Sequence, residues 1–224
     1  MKNNVPLYVL GCVPKLLNVL FELAEESNGI KIFQVLQNIP VDTLNSFTSQ
    51  GWTIDFVQTA TSELKLQPEA RYALSVVGTE SKEIVYNTFK DKFQMQDKQF
   101  INLIHPTSYV SRSAKLNYGL QLEPLSVIAA LTTIGFAVNI KRSCSIGHHC
   151  VIEDFVTINP GVTISGNVRI GCKTMIGSGT TIRDHISIGK NSIIGAGSVV
   201  VKDIPDNSVA FGNPCVVHRT HSEG

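Results

Sequence analysis

The stretch GHHCVIEDF, residues Gly147 to Phe155, gathers side chains suited to chemistry: two imidazoles at His148 and His149, a thiol at Cys150, and carboxylates at Glu153 and Asp154. Imidazole titrates near neutral pH, so a histidine can take a proton from an attacking amine or hydroxyl, and it is also a common metal ligand. Three readings are open: an inert solvated pair, part of a metal site, or the general base of a transfer reaction. The elements that hold the pair decide between them.

From His105 the chain divides every six residues without a gap, from HPTSYV (105–110) through GHHCVI (147–152) to GAGSVV (195–200). All sixteen hexads end in Val, Leu or Ile. Two positions before each of these aliphatics stands a small or β-branched residue, with Leu120 and Ile186 as the large exceptions. Glycine follows the aliphatic at 135, 147, 171, 177, 189 and 195, where a permissive backbone would serve a tight corner. A helix cannot keep residues six apart on one face, whereas a short strand plus a corner can. Three such strands close one coil of 18 residues, and stacked coils pair equivalent strands about 4.8 Å apart. Roughly five coils are expected, with the aliphatics lining the interior.

On this coil Cys150 takes the small inward position, and His148 and His149 fall on the preceding corner, facing outward. The residues one coil away from His148 are Ala130 and Gly166, and those flanking His149 are Leu131 and Asn167. Small neighbours on both sides of His148 predict open space beside its ring, into which a ligand would fit.

The hexads resemble those of left-handed parallel β-helix proteins, the hexapeptide-repeat family, and the left-handed sense is implied by that resemblance. Members of the γ-carbonic-anhydrase type hold zinc with three histidines from neighbouring coils and subunits. Here the hexads contain only His105, His148, His149 and His185, none at the four-residue gap of that type. No metal is therefore expected.

Three segments carry a more specific likeness: NLIHPTSYVSRSAKL, GHHCVIEDFVTINPGVTISGNVRIG and SIIGAGSVVVKDIPDNSVAFGNPCVVHR. They resemble the sialic acid O-acetyltransferase (NeuD) family, which includes bacterial nucleotide-amino-sugar N-acetyltransferases. The resemblance implies a general base at His148 and acetyl-CoA as co-substrate, bound in the groove between neighbouring β-helices of a homotrimer. The family's acidic residue after the base is replaced by His149, so Glu153 or Asp154 becomes a candidate to orient His148. Thr157, Gly177, Ser178 and Ala196 match the family's cofactor-binding positions. Lys202 and Arg219 offer charges to the CoA phosphates.

The first hundred residues alternate strand and helix. PLYVL, IKIFQVL and YALSVVG read as strands, with helices over Pro14 to Glu25 and Glu80 to Phe93 and an unassigned stretch reaching Gln67. This predicts a small Rossmann-like parallel α/β unit over 1–104, followed by the β-helix over 105–224. Ligands of such sheets sit at the carboxyl ends of strands, here near Gly11, Lys15 and Gly78. Family members bind the nucleotide of a nucleotide-sugar there, but the Gly-rich turn is GCVPK in this chain and the acidic pair after the second strand is missing.

The 224 residues carry a formal charge of +1, with 43% hydrophobic and 17% charged residues. With no basic run, nucleic acid is not an expected partner. The N-terminus lacks a signal-peptide h-region and no apolar run reaches spanning length, so a cytoplasmic protein without membrane insertion is expected. Five cysteines without CxxC spacing predict small buried fillers rather than disulfides. The sequence thus predicts an acetyl-CoA-dependent acetyltransferase of an amino-sugar nucleotide or related surface-glycan sugar. The alternatives are a non-catalytic trimeric CoA- or sugar-binding module and a zinc-dependent carbonic-anhydrase-like enzyme.

Overall fold

A computed structural model describes residues 5–37, 51–59, 66, 69–76 and 78–220. Its backbone divides into two compact units, Met1–Leu103 and Ile104–Gly224. No helix among the described residues is long and apolar enough to cross a membrane.

In the first unit four parallel strands, β1 (Leu7–Leu10), β2 (Ile32–Gln37), β3 (Thr53–Gln58) and β4 (Arg71–Leu74), lie in the order β3-β2-β1-β4. Helix α1 spans Pro14–Asn28 and α2 spans Thr79–Phe93. Leu7, Val9, Phe33, Val35 and Ala73 share one buried core with Leu17, Phe21 and Ala24 of α1. Proline is tolerated in the first turn of α1, where its missing N–H would have no partner anyway. Gly29, at φ 67, stops the helix, and its N–H bonds the Glu25 carbonyl at 2.7 Å.

Strand β3 corrects the sequence reading, which left this stretch unassigned. TIDFVQ is an edge strand with no fully buried residue, so it lacks the continuous apolar run that marked its neighbours. Helix α1 also runs three residues past the expected Glu25, through polar residues that propensity alone did not separate from a loop.

The second unit is a left-handed parallel β-helix. Each hexad yields one two-residue strand, from Tyr109–Val110 to Val199–Val200. Partners stand 18 residues apart, as in Thr157 with Asn139 and Met175, or Ile146 with Ile128 and Ile164. Three faces result: one carries Ser145–Ile146, the next Val151–Ile152 and the third Thr157–Ile158. The hexad-ending aliphatics form the interior, and those from Leu122 to Val200 are buried. Burial of each such side chain is worth about 1.5–3 kcal/mol.

The inward fourth residues are more than filler. Thr132 Oγ1 donates to the Gly147 carbonyl at 2.7 Å and accepts from Cys150 N at 3.2 Å. Ser126 donates to the Lys141 carbonyl and Thr174 to that of Gly189 in the same way. Hydroxyls and thiols thereby fasten one coil to the next at the corners, where the two-residue ladder has run out.

The expected role of the hexad-first glycines is corrected. The left-handed backbone lies two positions later, at the third residue: Leu131 φ 59, His149 φ 56, Asn167 φ 60, Lys173 φ 58. Where glycine stands at the first position, the next coil comes too close for a Cβ. A Cβ on Gly147 would lie 2.4 Å from the Ser165 carbonyl oxygen, and one on Gly177 2.4 Å from Ala196 N.

Candidate functional site

His148 and His149 occupy the corner between the Ser145–Ile146 and Val151–Ile152 strands, and both are exposed. Their backbone is fixed on both sides: His149 N donates to the Ala130 carbonyl at 3.0 Å, and the His148 carbonyl accepts from Asn167 N at 2.9 Å. The two rings meet edge to face, with centroids 5.1 Å apart at 90°. Nδ1 of His148 stands 3.0 Å from Nδ1 of His149. One of these nitrogens must carry the proton and the other accept it. When His148 donates, its Nε2 keeps a lone pair, the state a general base requires.

The carboxylates offered by the sequence do not orient His148. Glu153 and Asp154 stand on the next corner of the coil. Asp154 Oδ1 accepts from Phe136 N at 2.7 Å. Glu153 Oε2 accepts from Cys172 N at 3.0 Å, and its other oxygen pairs with Arg169. Both cap backbone N–H groups of neighbouring coils, and the partner of His148 is the ring that follows it.

The predicted space beside His148 is also corrected on one side. A Cβ on Gly166 would come within 2.5 Å of Cε1, 2.8 Å of Nε2 and 3.0 Å of Nδ1 of His148. The imidazole itself lies over Gly166 and fills the room that the sequence assigned to a ligand.

Cys150 is fully buried, and its Sγ donates to the Ser165 carbonyl at 3.2 Å, fastening the residue before Gly166. Burial pushes its thiol above the usual value, partly offset by backbone hydrogen bonds with Val168 and Asn167. It stays protonated at neutral pH and is no thiolate nucleophile.

The expected cofactor positions lie elsewhere on the coil. Thr157 is buried in the third face, while Gly177, Ser178 and Ala196 share the corner between the third face and the Ser145–Ile146 face. Gly177 packs on the Ala196 backbone, and the Ser178 carbonyl accepts from Gly197 N at 2.8 Å. These residues come together, but one whole face separates them from His148. Lys202 and Arg219 are exposed near the C-terminal exit of the solenoid.

In the first unit Gly11 follows β1 at φ 80, and Gly78 precedes α2 as its N-cap. The Lys15 side chain lies outside the described residues. Sequence reading missed two further groups here. Gln37, at the end of β2 and beside the Cys12 thiol, and Ser75, just after β4, bury their side-chain polar atoms, and Ser75 Oγ has no hydrogen-bond partner among the described residues. A buried glutamine at the end of the strand IFQVLQ was the available signal. Among the described residues no cluster of three or more His, Cys, Asp or Glu forms a candidate metal site.

Comparison with known proteins places this geometry. Residues 167–202 match the bacterial transferase hexapeptide (six repeats) family. A galactoside O-acetyltransferase of Lactococcus lactis is 41% identical over 79 residues, 35% of this chain, and the match spans only 30% of that protein's length. The acetyltransferase domain of PglB from Neisseria gonorrhoeae, solved with acetyl coenzyme A, superposes over 96% of this chain and 100% of its own with TM-score 0.82 at 26% identity. PerB from Caulobacter crescentus, solved with CoA and GDP-perosamine, covers 96% of this chain and 98% of its own with TM-score 0.81 at 22% identity, a likeness of fold. Hexad period, stacked coils and the match over residues 167–202 agree: this chain carries hexapeptide repeats like those of the bacterial transferase hexapeptide family.

Proposed function

We propose that this protein is an acetyl-CoA-dependent acetyltransferase whose general base is His148 and whose acceptor is an amino-sugar nucleotide or related surface-glycan sugar. The observation that carries the proposal is the exposed His148 ring, held at Nδ1 by His149 on a solenoid shared with acetyltransferases. The acceptor nitrogen or oxygen bonds to the thioester carbonyl carbon while Nε2 of His148 takes its proton. The C–S bond then breaks, and the departing sulfur recovers that proton as CoA-SH. Gly166 N–H, which the coil ladder passes over while using those of Ser165 and Asn167, is a candidate donor to the oxyanion.

A homotrimer supports the chemistry. His148 and the Gly177–Ala196 corner flank the same face of one chain, so a groove containing both forms when a second copy brings its own corner alongside. Val127, on this face, and Leu125 and Leu131, at its two edges, expose apolar side chains that such a copy would cover. The carboxyl ends of the first unit's strands are the candidate seat for the acceptor's nucleotide, and Ser75 Oγ is buried there with no hydrogen-bond partner among the described residues.

The test is thiol release from acetyl-CoA against a panel of nucleotide-amino-sugars and free sialic acids, with wild type and His148→Ala. Turnover on one acceptor that falls about 10²-fold or more in the variant supports the base. Tight CoA binding without turnover on any acceptor would instead make the chain a binding module.

A further inference from the structure

We propose that Gly166 is a positioning residue: its missing Cβ makes the seat on which the His148 imidazole lies, and so sets the direction of Nε2. The inference rests on the general-base reading for its catalytic consequence, but not for its geometry. Three ring atoms of His148, Cε1, Nε2 and Nδ1, are the nearest atoms to a Cβ built on Gly166, at 2.5, 2.8 and 3.0 Å. Side-chain carbons do not approach other heavy atoms as closely as the first two distances, so ring and Cβ exclude one another.

The backbone beneath the ring cannot withdraw to relieve this. Ser165 N bonds the Ile182 carbonyl at 3.0 Å, Asn167 N bonds the His148 carbonyl at 2.9 Å, and His185 N bonds the Gly166 carbonyl at 3.1 Å. Cys150 Sγ holds the Ser165 carbonyl from inside the coil at 3.2 Å. The ring, in contrast, is exposed and can swing toward solvent by giving up its contact with His149. Gly166 itself is not in the left-handed region, so alanine is compatible with its backbone. A methyl group at 166 therefore displaces the imidazole rather than the coil and separates its Nδ1 from that of His149.

This use of glycine differs from that at Gly147, whose absent Cβ would strike backbone of the next coil. It also differs from any use of the Gly166 N–H toward substrate, because an alanine keeps that N–H.

The experiment is a cycle of wild type, Gly166→Ala, His148→Ala and the double variant. Each is measured for kcat, for KM of acetyl-CoA, for melting temperature, and by two-dimensional NMR of the imidazole nitrogens. Gly166→Ala is expected to lower kcat about 10²-fold, the scale of a misplaced catalytic group, with KM changing less. The His148 ring resonances should shift and lose their close approach to those of His149. In the His148→Ala background the same substitution should change kcat less than about twofold, because coupled residues do not add.

Equal loss in both backgrounds would overturn the proposal and assign the cost to substrate contact at the corner. Unmoved ring resonances in Gly166→Ala would overturn it as well. Should Gly166→Ala fold poorly, His148→Ala/Gly166→Ala must restore its melting temperature, and failure to do so refutes the seat. If wild type turns over no acceptor, the transferase reading fails, and the NMR comparison still decides the seat.

Discussion

Nδ1 of His148 and Nδ1 of His149 face one another at 3.0 Å, a contact between two groups that are each able to donate or accept. A carboxylate in the second position would only accept, and would hold the first ring by charge. An imidazole that accepts there brings no such charge, so under the proposed general-base role His149 would orient His148 while giving less electrostatic support to an imidazolium.

His149→Asn keeps a side-chain oxygen that can accept, at a left-handed backbone position that asparagine tolerates. It is expected to retain kcat within about threefold, whereas His149→Ala, which removes the acceptor, should lose about tenfold, within the size of one hydrogen bond. Steady-state kinetics on the two variants, with melting temperatures to exclude unfolding, check this.

Glu153→Gln and Asp154→Asn should leave kcat within about twofold. Their cost should appear in stability, about 1 kcal/mol each, the size of a weakened hydrogen bond. The Glu153–Arg169 ion pair adds little to this because its arginine side chain is 61% exposed. A tenfold loss of kcat in either variant would return a catalytic carboxylate to the site.

Gly147→Ala and Gly166→Ala should separate cleanly by stability. The first forces a Cβ to 2.4 Å from the Ser165 carbonyl oxygen and should lower stability by more than about 2 kcal/mol, the scale of core overpacking. The second meets only an exposed ring and should move stability by less than about 1 kcal/mol. Thermal melts of both decide it.

Cys150→Ser preserves a donor to the Ser165 carbonyl and should cost less stability than Cys150→Ala, which leaves that carbonyl without its donor and opens a small cavity. The alanine variant is expected to lose about 1–3 kcal/mol. Iodoacetamide should not label Cys150 in the folded protein at neutral pH, a result that mass spectrometry of the labelled peptide can read.

Stability should fall on the alkaline side. Burial raises the thiols of Cys12, Cys144, Cys150, Cys172 and Cys215 above their ordinary value of 9.0. It also pushes the Tyr72 hydroxyl up to about 12. A raised folded-state value means that the unfolded chain releases its proton first. The contribution is therefore complete below pH 9 and is lost as pH rises from there toward the raised values. Melting temperatures between pH 8 and pH 11 should decline steadily, and a flat profile would contradict the burial of these groups.

The period of six was legible because every coil presents the same environment, so one aliphatic is demanded at each sixth residue. The corner conformation was less legible. Its left-handed residue is Leu131, His149, Lys173 or Asn167 as readily as Gly161 or Gly179, and the hexad-first glycines mark close contact between coils instead. Strand β3 escaped notice because an edge strand needs no fully apolar run.

For the candidate site, spacing alone placed His148 on an outward corner with Ala130 and Gly166 one coil away, since stacking identical repeats leaves no other register. Which atoms fill that space, and whether a carboxylate or an imidazole meets Nδ1, could not be read from the chain. Those outcomes depend on side-chain direction and on competing hydrogen bonds: Asp154 and Glu153 are taken by backbone N–H groups of other coils, while the His148 ring settles over the one neighbour without a Cβ. The repeat determined where the residues stand, and only the packed coils decided what they touch.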